Sequence, residues 1–207
     1  MNDLVPDLVL GDDGQLRCRW AGAGEMRAYH DTEWGRPVAG DVAVFERLTL
    51  EAFQSGLSWA IILRKREGFR AAFDGFDPER IAAYDEVERA RLLADAGIVR
   101  NRLKVDATIT NARALLDLWD AEGEGALARL VASHAPEPRP APVSFADVPG
   151  KVPESLALSK ALKKRGFVFV GPTTMYALMQ ALGIANDHLE GCVARDAAGL
   201  GAAEVGA

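Results

Sequence analysis

Apolar residues recur at helical spacing along most of this 207-residue chain, and runs of β-branched residues are scarce. Val44, Phe45, Leu48 and Phe53, for example, fall at positions that helical spacing would align. The only short strand-like stretch in the sequence is Phe167 to Val170. Because a chain of this length can bury one sizeable core, we predict an all-α fold.

The two ends of the chain differ in composition from its middle. Residues 1–16 are acidic, contain glycine and proline and show no sustained period, so we predict a flexible leader. Residues 194–207 are mostly alanine and glycine, and for them we predict a flexible tail. Residues 17–193 are then expected to form a single domain of two helical lobes, with a stiff proline-rich connector over residues 136–142.

Composition excludes two classes of protein. No window of 18 residues is apolar throughout, and the first residues lack a basic cluster, so we expect a cytoplasmic protein with no membrane segment. The formal net charge of −6 excludes a wholesale basic surface of the kind that coats nucleic acid. Any contact with DNA must therefore come from a local positive face. We expect a monomer, because no feature of the sequence requires a second copy.

The stretch from Leu50 to Trp59 places a carboxylate, an amide and an indole inside an apolar run. An unpaired carboxylate is costly to bury, so Glu51 should meet a polar partner. Gly56 interrupts the helical pattern, and the turn after it would bring Trp59 towards whatever Glu51 faces. A flat ring beside a hydrogen-bond acceptor suits a planar ligand with N–H donors, such as a nucleobase. The alternative is that Trp59 belongs to the core and Glu51 pairs with a buried arginine.

Both cysteines of the chain, Cys18 and Cys192, have a histidine nearby in the sequence. His188 precedes Cys192 by four residues, which would put both side chains on one face of a helical turn, and His30 follows Cys18 at a looser spacing. Two thiolates and two imidazoles are a tetrahedral set that zinc prefers, and four protein ligands leave no position for water. We therefore predict a structural zinc site that ties the N- and C-terminal segments together. The alternative is a pair of unrelated core thiols.

The segment from Ala96 to Arg102 joins two predicted helices through a turn that contains glycine. Free N–H groups at the start of the second helix, with the positive charges of Arg100, Arg102 and Lys104, would favour a phosphate. A glycine at the end of a helix is commonplace, so a plain helical hairpin is the alternative.

A series of motifs runs in order from Arg17 to Cys192. They are Arg17-Cys18 with Trp20, Tyr29-His30-Asp31 with Glu33-Trp34-Gly35, Leu50-Glu51, Gln54 with Gly56-Leu57-Ser58-Trp59, Asp95-Ala96-Gly97-Ile98, Leu158 to Phe167, and Asn186-Asp187-His188. Together they resemble the bacterial 3-methyladenine DNA glycosylase I family, base-excision repair enzymes of the helix-hairpin-helix glycosylase superfamily. The resemblance implies that fold, with structural zinc bound by Cys18, His30, His188 and Cys192.

The resemblance also implies roles for individual residues. Glu51 and Tyr29 would hydrogen-bond the methylated adenine, and Trp59 would stack on it. The remaining substrate-binding residues would be Trp20, Trp34 and Gln54. The hairpin residues that would grip the phosphate backbone are Gly97, Arg100, Arg102 and Lys104. From its position after Gly56, we expect Leu57 to enter the gap in the base stack.

These roles imply hydrolysis of the N-glycosidic bond of N3-methyladenine in alkylated double-stranded DNA. The base must first be rotated out of the duplex, at a cost of roughly a few kcal/mol. An aromatic cage attracts the cationic base, and Glu51 is the expected catalytic residue through its contact with the base, without acting as a general base. No lysine in the pocket motifs indicates a Schiff base, so we predict a monofunctional enzyme that leaves an abasic site. Two alternatives are a zinc-stabilised DNA-binding module without chemistry and a metallohydrolase.

Overall fold

The computed structural model describes residues 7–198, and the regular structure in this part of the chain is mostly helical. The predicted all-α class is confirmed, apart from one small antiparallel sheet of strands β1 and β2 in which Leu8 lies opposite Cys18. The elements are β1 (Leu8–Leu10), β2 (Leu16–Cys18), α1 (Glu25–Thr32), α2 (Asp41–Gln54), α3 (Trp59–Ala72), α4 (Pro78–Ala82), α5 (Glu86–Ala94), α6 (Arg102–Glu122), α7 (Ala126–Ala132), α8 (Pro153–Lys164) and α9 (Pro172–Ala181). None of these helices combines the length and the apolar character needed to cross a membrane.

The sheet lies largely within the predicted leader, so residues 8–10 and 16 form strands where the sequence predicted a flexible segment. Strands of three residues are too short to show the alternation by which a strand is recognised in a sequence.

The predicted tail also begins in packed structure, because Ala194 and Ala198 are buried and Asn186 Nδ2 donates to the carbonyl oxygens of Arg195 and Ala198. The rest of both predictions, on residues 1–6 and 199–207, lies outside the described residues.

The strand-like stretch from Phe167 to Val170 does not form a strand. The side-chain amide of Asn111 on α6 bonds both backbone groups of Val168, and Ser159 on α8 donates to the carbonyl oxygen of Val170. These side chains satisfy the backbone groups that a neighbouring strand would otherwise satisfy.

Helix α2 lies at the centre of the fold and packs against α3, α6, α7 and α9. Five of its apolar side chains are fully buried in one hydrophobic cluster that also contains residues of α3, α6, α8 and α9; they are Val44, Phe45, Leu48, Leu50 and Phe53. The helix ends before Gly56, whose φ of 81° is a left-handed conformation that favours glycine. This placement puts Glu51 in the last turn of a helix that is held on several sides.

Lys104 closes the C-terminal end of α2 from the first turn of α6. Its Nζ donates to the carbonyl oxygens of Phe53 at 2.7 Å and Ser55 at 2.6 Å, and the residue is buried. These carbonyl groups have no partner within their own helix, and a cation favours the negative end of the helix dipole. The ammonium group of Lys104 therefore has two partners inside the protein, and its role in gripping DNA stays a prediction.

Candidate functional site

A cavity of about 330 Å³ opens beside the last turn of α2. That volume is at the lower end for ligand pockets and suits a molecule of the size of one nucleobase. Its lining contains every residue predicted to touch the base, namely Trp20, Tyr29, Trp34, Glu51, Gln54 and Trp59. The structure thus brings together residues from α1, α2 and α3, from the turn after β2 and from the segment after α1.

Glu51 lines this cavity while only 6% of its surface is exposed. None of the described residues donates a hydrogen bond to its carboxyl group. Burial raises the pKa of Glu51 to about 8, and the positive charge of Arg47, one helical turn earlier, acts in the opposite direction. An arginine is therefore near Glu51, as the alternative interpretation required, but its guanidinium bonds Glu33 instead and leaves the Glu51 carboxyl free towards the cavity.

Four aromatic rings surround the same space. The ring centroid of Tyr29 lies 5.1 Å from that of Trp59, and Trp20 meets Trp34 edge to face at 4.9 Å. Trp20 and Tyr29 are 6.5 Å apart, so the two pairs form one connected wall. Burial raises the pKa of the Tyr29 hydroxyl well above its usual value, with a further contribution from the charge of Glu51, so Tyr29 stays a neutral donor.

Two polar residues of the lining were missed in the sequence, Gln180 and Asp187. The Asp187 carboxylate accepts hydrogen bonds from the hydroxyl of Tyr176 and from Gln180 Nε2, and it forms an ion pair with Arg139. Gln180 gives a signal of the kind that singled out Glu51, because it is a polar residue within the otherwise apolar helix α9. Phe145 and Val148 also reach the cavity, from beyond the proline-rich connector, and their spacing gave no such signal.

Cys18, His30, His188 and Cys192 come together in a buried cluster that could hold a metal ion. One ligand atom from each residue lies within 4.8 Å of all the others, a spacing that a single ion could bridge. His188 and Cys192 reach this cluster from a series of turns after α9, not from the helical turn predicted for them. The two residues still approach, with His188 Nδ1 at 3.5 Å from Cys192 Sγ.

The surroundings of the cluster fit a metal site. His30 Nδ1 lies 2.7 Å from Asp31 Oδ1, and His188 Nε2 lies 3.3 Å from the carbonyl oxygen of Trp34. These contacts occupy one nitrogen of each ring and leave His30 Nε2 and His188 Nδ1 facing the thiols, the arrangement that metal-binding histidines adopt. A hydrogen bond from Cys18 has the largest effect on the pKa of the Cys192 thiol and lowers it, and hydrogen bonds from both imidazoles lower it further. Burial acts in the opposite direction but does not outweigh them. The cluster therefore favours a thiolate, which is the metal-binding form.

The predicted DNA-contacting residues are placed along the turns beside the cavity and between α5 and α6. Leu57 is 37% exposed on the turn that leads to Trp59, and Arg100 is exposed before α6. Arg102 begins α6 and forms an ion pair with Glu86. The backbone N–H of Gly97, which is one of the predicted DNA-binding residues, donates to Asp95 Oδ1 at 2.6 Å.

The hairpin between α5 and α6 is seated on α3. A Cβ atom at Gly68 would lie 2.5 Å from the carbonyl oxygen of Gly97, so only glycine permits this approach. Lys65 Nζ donates to the carbonyl oxygen of Ala96 at 2.6 Å. The basic run of α3 therefore includes a residue that fixes the hairpin, although its sequence is typical of a solvated face.

Comparison with known proteins identifies the relatives of this chain. The family model described as methyladenine glycosylase matches residues 20–195. DNA-3-methyladenine glycosylase 1 of Escherichia coli (strain K12) is 45% identical over 179 residues, which cover 85% of this chain and 95% of that protein.

Solved structures give the same result. A crystal structure of 3-methyladenine DNA glycosylase I has a TM-score of 0.81 and 46% identity, covering 86% of this chain and 98% of that one. A tyrosine-to-phenylalanine variant of 3-methyladenine DNA glycosylase I, in complex with 3-methyladenine, has a TM-score of 0.76 and 30% identity, covering 84% and 94%. These matches confirm the resemblance found in the motifs, and the chain therefore belongs to the methyladenine glycosylase family.

Proposed function

We propose that this protein is a monofunctional DNA glycosylase that hydrolyses the N-glycosidic bond of N3-methyladenine in alkylated double-stranded DNA. The observation that carries this proposal is the buried Glu51 carboxyl, free of hydrogen bonds from the described residues, in a cavity lined by aromatic rings. A buried polar group without a partner is costly, so the site is built for a ligand that supplies donors. A relative of this chain forms a complex with 3-methyladenine, which is such a ligand.

The site is suited to a flipped, positively charged purine. The base leaves the duplex at a cost of roughly a few kcal/mol, and the cost is lower for a damaged, poorly stacked base. Trp59 stacks on the purine, and the electron-rich faces of the surrounding rings favour its positive charge. Glu51 accepts a hydrogen bond from the base, and Tyr29 makes a second hydrogen bond to it. Normal adenine carries no charge and gains less from this environment.

Cleavage needs little beyond this binding. The bond between the sugar C1′ and the purine nitrogen breaks, and its electron pair goes to the purine and neutralises the positive ring. Water then adds to C1′ and loses a proton to the solvent, which leaves an abasic site. Glu51 acts by contact with the departing base and abstracts no proton from the water. Among residues 7–198 no lysine lines the cavity, so no covalent intermediate with an amine is proposed.

DNA is proposed to lie across the turn at Leu57 and the hairpin between α5 and α6. Leu57 is apolar, partly exposed and close in sequence to Trp59, so it can fill the gap that the flipped base leaves. Arg100 and Arg102 supply positive charge beside the start of α6, where the helix dipole favours phosphate. The N–H group of Gly97 donates to Asp95. The N–H groups that bind phosphate are therefore those of the turn after Gly97.

We propose that the metal of the Cys18, His30, His188 and Cys192 cluster is zinc and that it is structural. Two thiolates and two imidazoles are a donor set that zinc prefers, and a site closed by four protein ligands has no open position for substrate. When bound, the ion contributes folding free energy and performs no step of the reaction. Its ligands His30 and His188 directly follow Tyr29 and Asp187 of the cavity lining, so the site fixes the position of both.

A base-release assay tests the proposal. Duplex DNA treated with a methylating agent is incubated with the protein, and the released bases are separated by chromatography. We expect 3-methyladenine among the products, with strand breakage only after alkali treatment of the abasic sites. The absence of any released methylated purine would overturn the proposal, and strand cleavage by the protein alone would overturn its monofunctional part.

A further inference from the structure

Arg47 is a buried cation on the helix that carries Glu51. It lies on α2 one turn before Glu51, and the residue is only 8% exposed. Its guanidinium carbon lies 5.8 Å from the centroid of the Tyr29 ring, so it adjoins two residues of the cavity without lining the cavity itself. One of its nitrogens, Nη1, is buried without a hydrogen-bond partner among the described residues.

The charge of Arg47 is only partly neutralised. Its Nη2 donates to Glu33 Oε2 at 3.1 Å. The same carboxylate is held by both terminal nitrogens of Arg66, at 2.5 Å and 3.0 Å. A two-point contact of this kind is the stronger of the two pairings, so the negative charge of Glu33 is shared unequally and the three groups carry a net positive charge.

The remaining charged and titratable groups around Glu51 do not cancel this charge at the carboxyl. Burial raises the pKa of Glu51, and the charge of Arg47 opposes that rise. The other groups that neighbouring elements bring to this region are Tyr29 and Glu33 from α1 and its end, Arg66 from α3, Lys104 from α6, and Asp187 from the segment after α9. Asp187 lines the same cavity and is itself paired with Arg139.

We propose that Arg47 is a positioning residue for the reaction, whose buried positive charge on the same helix makes it easier for the Glu51 carboxyl to lose its proton when it receives a cationic base. The inference rests on the proposed function. A cationic purine gains most from Glu51 when the carboxyl is ionised, so binding at neutral pH requires Glu51 to lose its proton. Arg47 attracts the carboxylate on its own helix more strongly than it repels a base in the cavity, because it does not line that cavity.

The test is the pH dependence of base excision under single-turnover conditions, from pH 6 to pH 9, on a duplex that contains one 3-methyladenine. For Arg47→Met, we expect the midpoint of the rising limb to move up by on the order of one pH unit. The rate at pH 6.5 then falls roughly tenfold, while the rates of variant and parent protein converge towards pH 9. A loss of packing alone would lower the rate equally at every pH.

Three variants serve as controls. Arg47→Lys keeps the charge and should keep the midpoint of the parent protein. Arg66→Met removes a partner of the same Glu33 carboxylate but not the charge nearest Glu51, and should move the midpoint much less. Arg47→Gln carries the same expectation as Arg47→Met and replaces it if that variant does not fold, as judged by thermal melting.

A second measurement separates this inference from the proposed function. Carbon-13 NMR of the Glu51 side-chain carboxyl follows its titration in the protein without DNA, with Glu51→Gln used to assign the signal. We expect a higher midpoint in Arg47→Met than in the parent protein. Equal midpoints in folded protein would overturn the inference, whether or not the parent protein excises 3-methyladenine, whereas a shifted midpoint without any excision would leave the role of Arg47 at Glu51 intact and refute the glycosylase function.

Discussion

His30 and Cys192 are 162 residues apart in the sequence, yet Nε2 of the histidine lies 3.3 Å from Sγ of the cysteine. Closing so large a loop is entropically unfavourable, and a bound ion offsets that cost. The same contact bears on the cavity, because Tyr29 and Asp187 of its lining directly precede His30 and His188 of the cluster. The cysteine–histidine cluster and the cavity are therefore linked through the backbone.

Cys192→Ala should abolish metal binding and lower the free energy of unfolding by roughly 3 kcal/mol or more, because a ligand and its loop closure are both lost. Metal content by atomic emission and thermal melting check this expectation. His134→Ala is a suitable control, because this third histidine lies outside the cluster. A Cys192→Ala protein that kept one metal per chain and the melting temperature of the parent protein would contradict the metal site.

Glu51→Gln should stabilise the protein without DNA, and more so as the pH rises. The pKa of Glu51 is raised from an ordinary value of 4.5 to about 8 in the folded protein. Between these values the unfolded chain loses the proton and the folded chain retains it, so the stability of the parent protein falls as the pH rises from about 5 to 8. Glutamine has no proton to lose, and the difference should reach roughly 3 kcal/mol near pH 7.

Thermal melts at pH 5, 6, 7 and 8 measure this difference. Gln54→Leu changes the same cavity without a titratable group, and its difference from the parent protein should not vary with pH. A Glu51→Gln difference that is constant from pH 5 to 8 would show that the carboxyl is not held in its neutral form.

Leu57→Ala should leave the fold intact, because the side chain is 37% exposed, but it should slow excision and reduce DNA bending. The physical reason is the loss of the apolar group that fills the gap in the base stack. Single-turnover excision and fluorescence measurement of the bend angle report the two effects. Leu156→Ala, which truncates a similarly exposed leucine on α8, should change neither. Unchanged bending and excision in Leu57→Ala would refute the wedge role.

Gly68→Ala should displace the hairpin and weaken binding to unmodified duplex DNA. The added Cβ would lie 2.5 Å from the carbonyl oxygen of Gly97, and a backbone atom cannot move away as a flexible side chain can. Overpacking of this kind destabilises a protein by about 1–3 kcal/mol. Gly150→Ala is the matched control, because a Cβ there meets no atom within 4 Å. If both variants bound DNA with equal affinity at low and moderate salt, the hairpin would have no part in DNA binding.

The part of the cavity formed by Glu51 was predictable from the sequence because polar residues inside apolar runs are rare and therefore informative, whereas the roles of Tyr29, Trp20 and Trp34 were implied by the family resemblance. Glu51 stood out for this reason, and Cys18 and Cys192 stood out because the chain has no other cysteine. Gln180 gave a similar signal on α9, where it interrupts an apolar helix. Periodicity also placed α2 correctly, because its buried face spans several turns.

Other features depend on contacts between residues distant in sequence, which a local pattern does not contain. Lys104 and Arg100 are both basic residues near a helix start, yet Lys104 turns inward to the carbonyl oxygens at the end of α2. The short strands β1 and β2 owe their pairing to a hairpin turn and to packing at the metal cluster. Arg66 makes two hydrogen bonds to Glu33 and Arg47 makes one, and this difference likewise depends on how α2, α3 and the end of α1 pack together.

Single-turnover excision from a duplex with one 3-methyladenine, compared between the parent protein and Glu51→Ala, tests the central claim most directly. We predict release of 3-methyladenine by the parent protein and a rate slower by roughly two orders of magnitude for Glu51→Ala, although that variant melts as a folded protein. Equal rates for the two folded proteins would contradict the account, because the free carboxyl in the cavity would then have no part in handling the base.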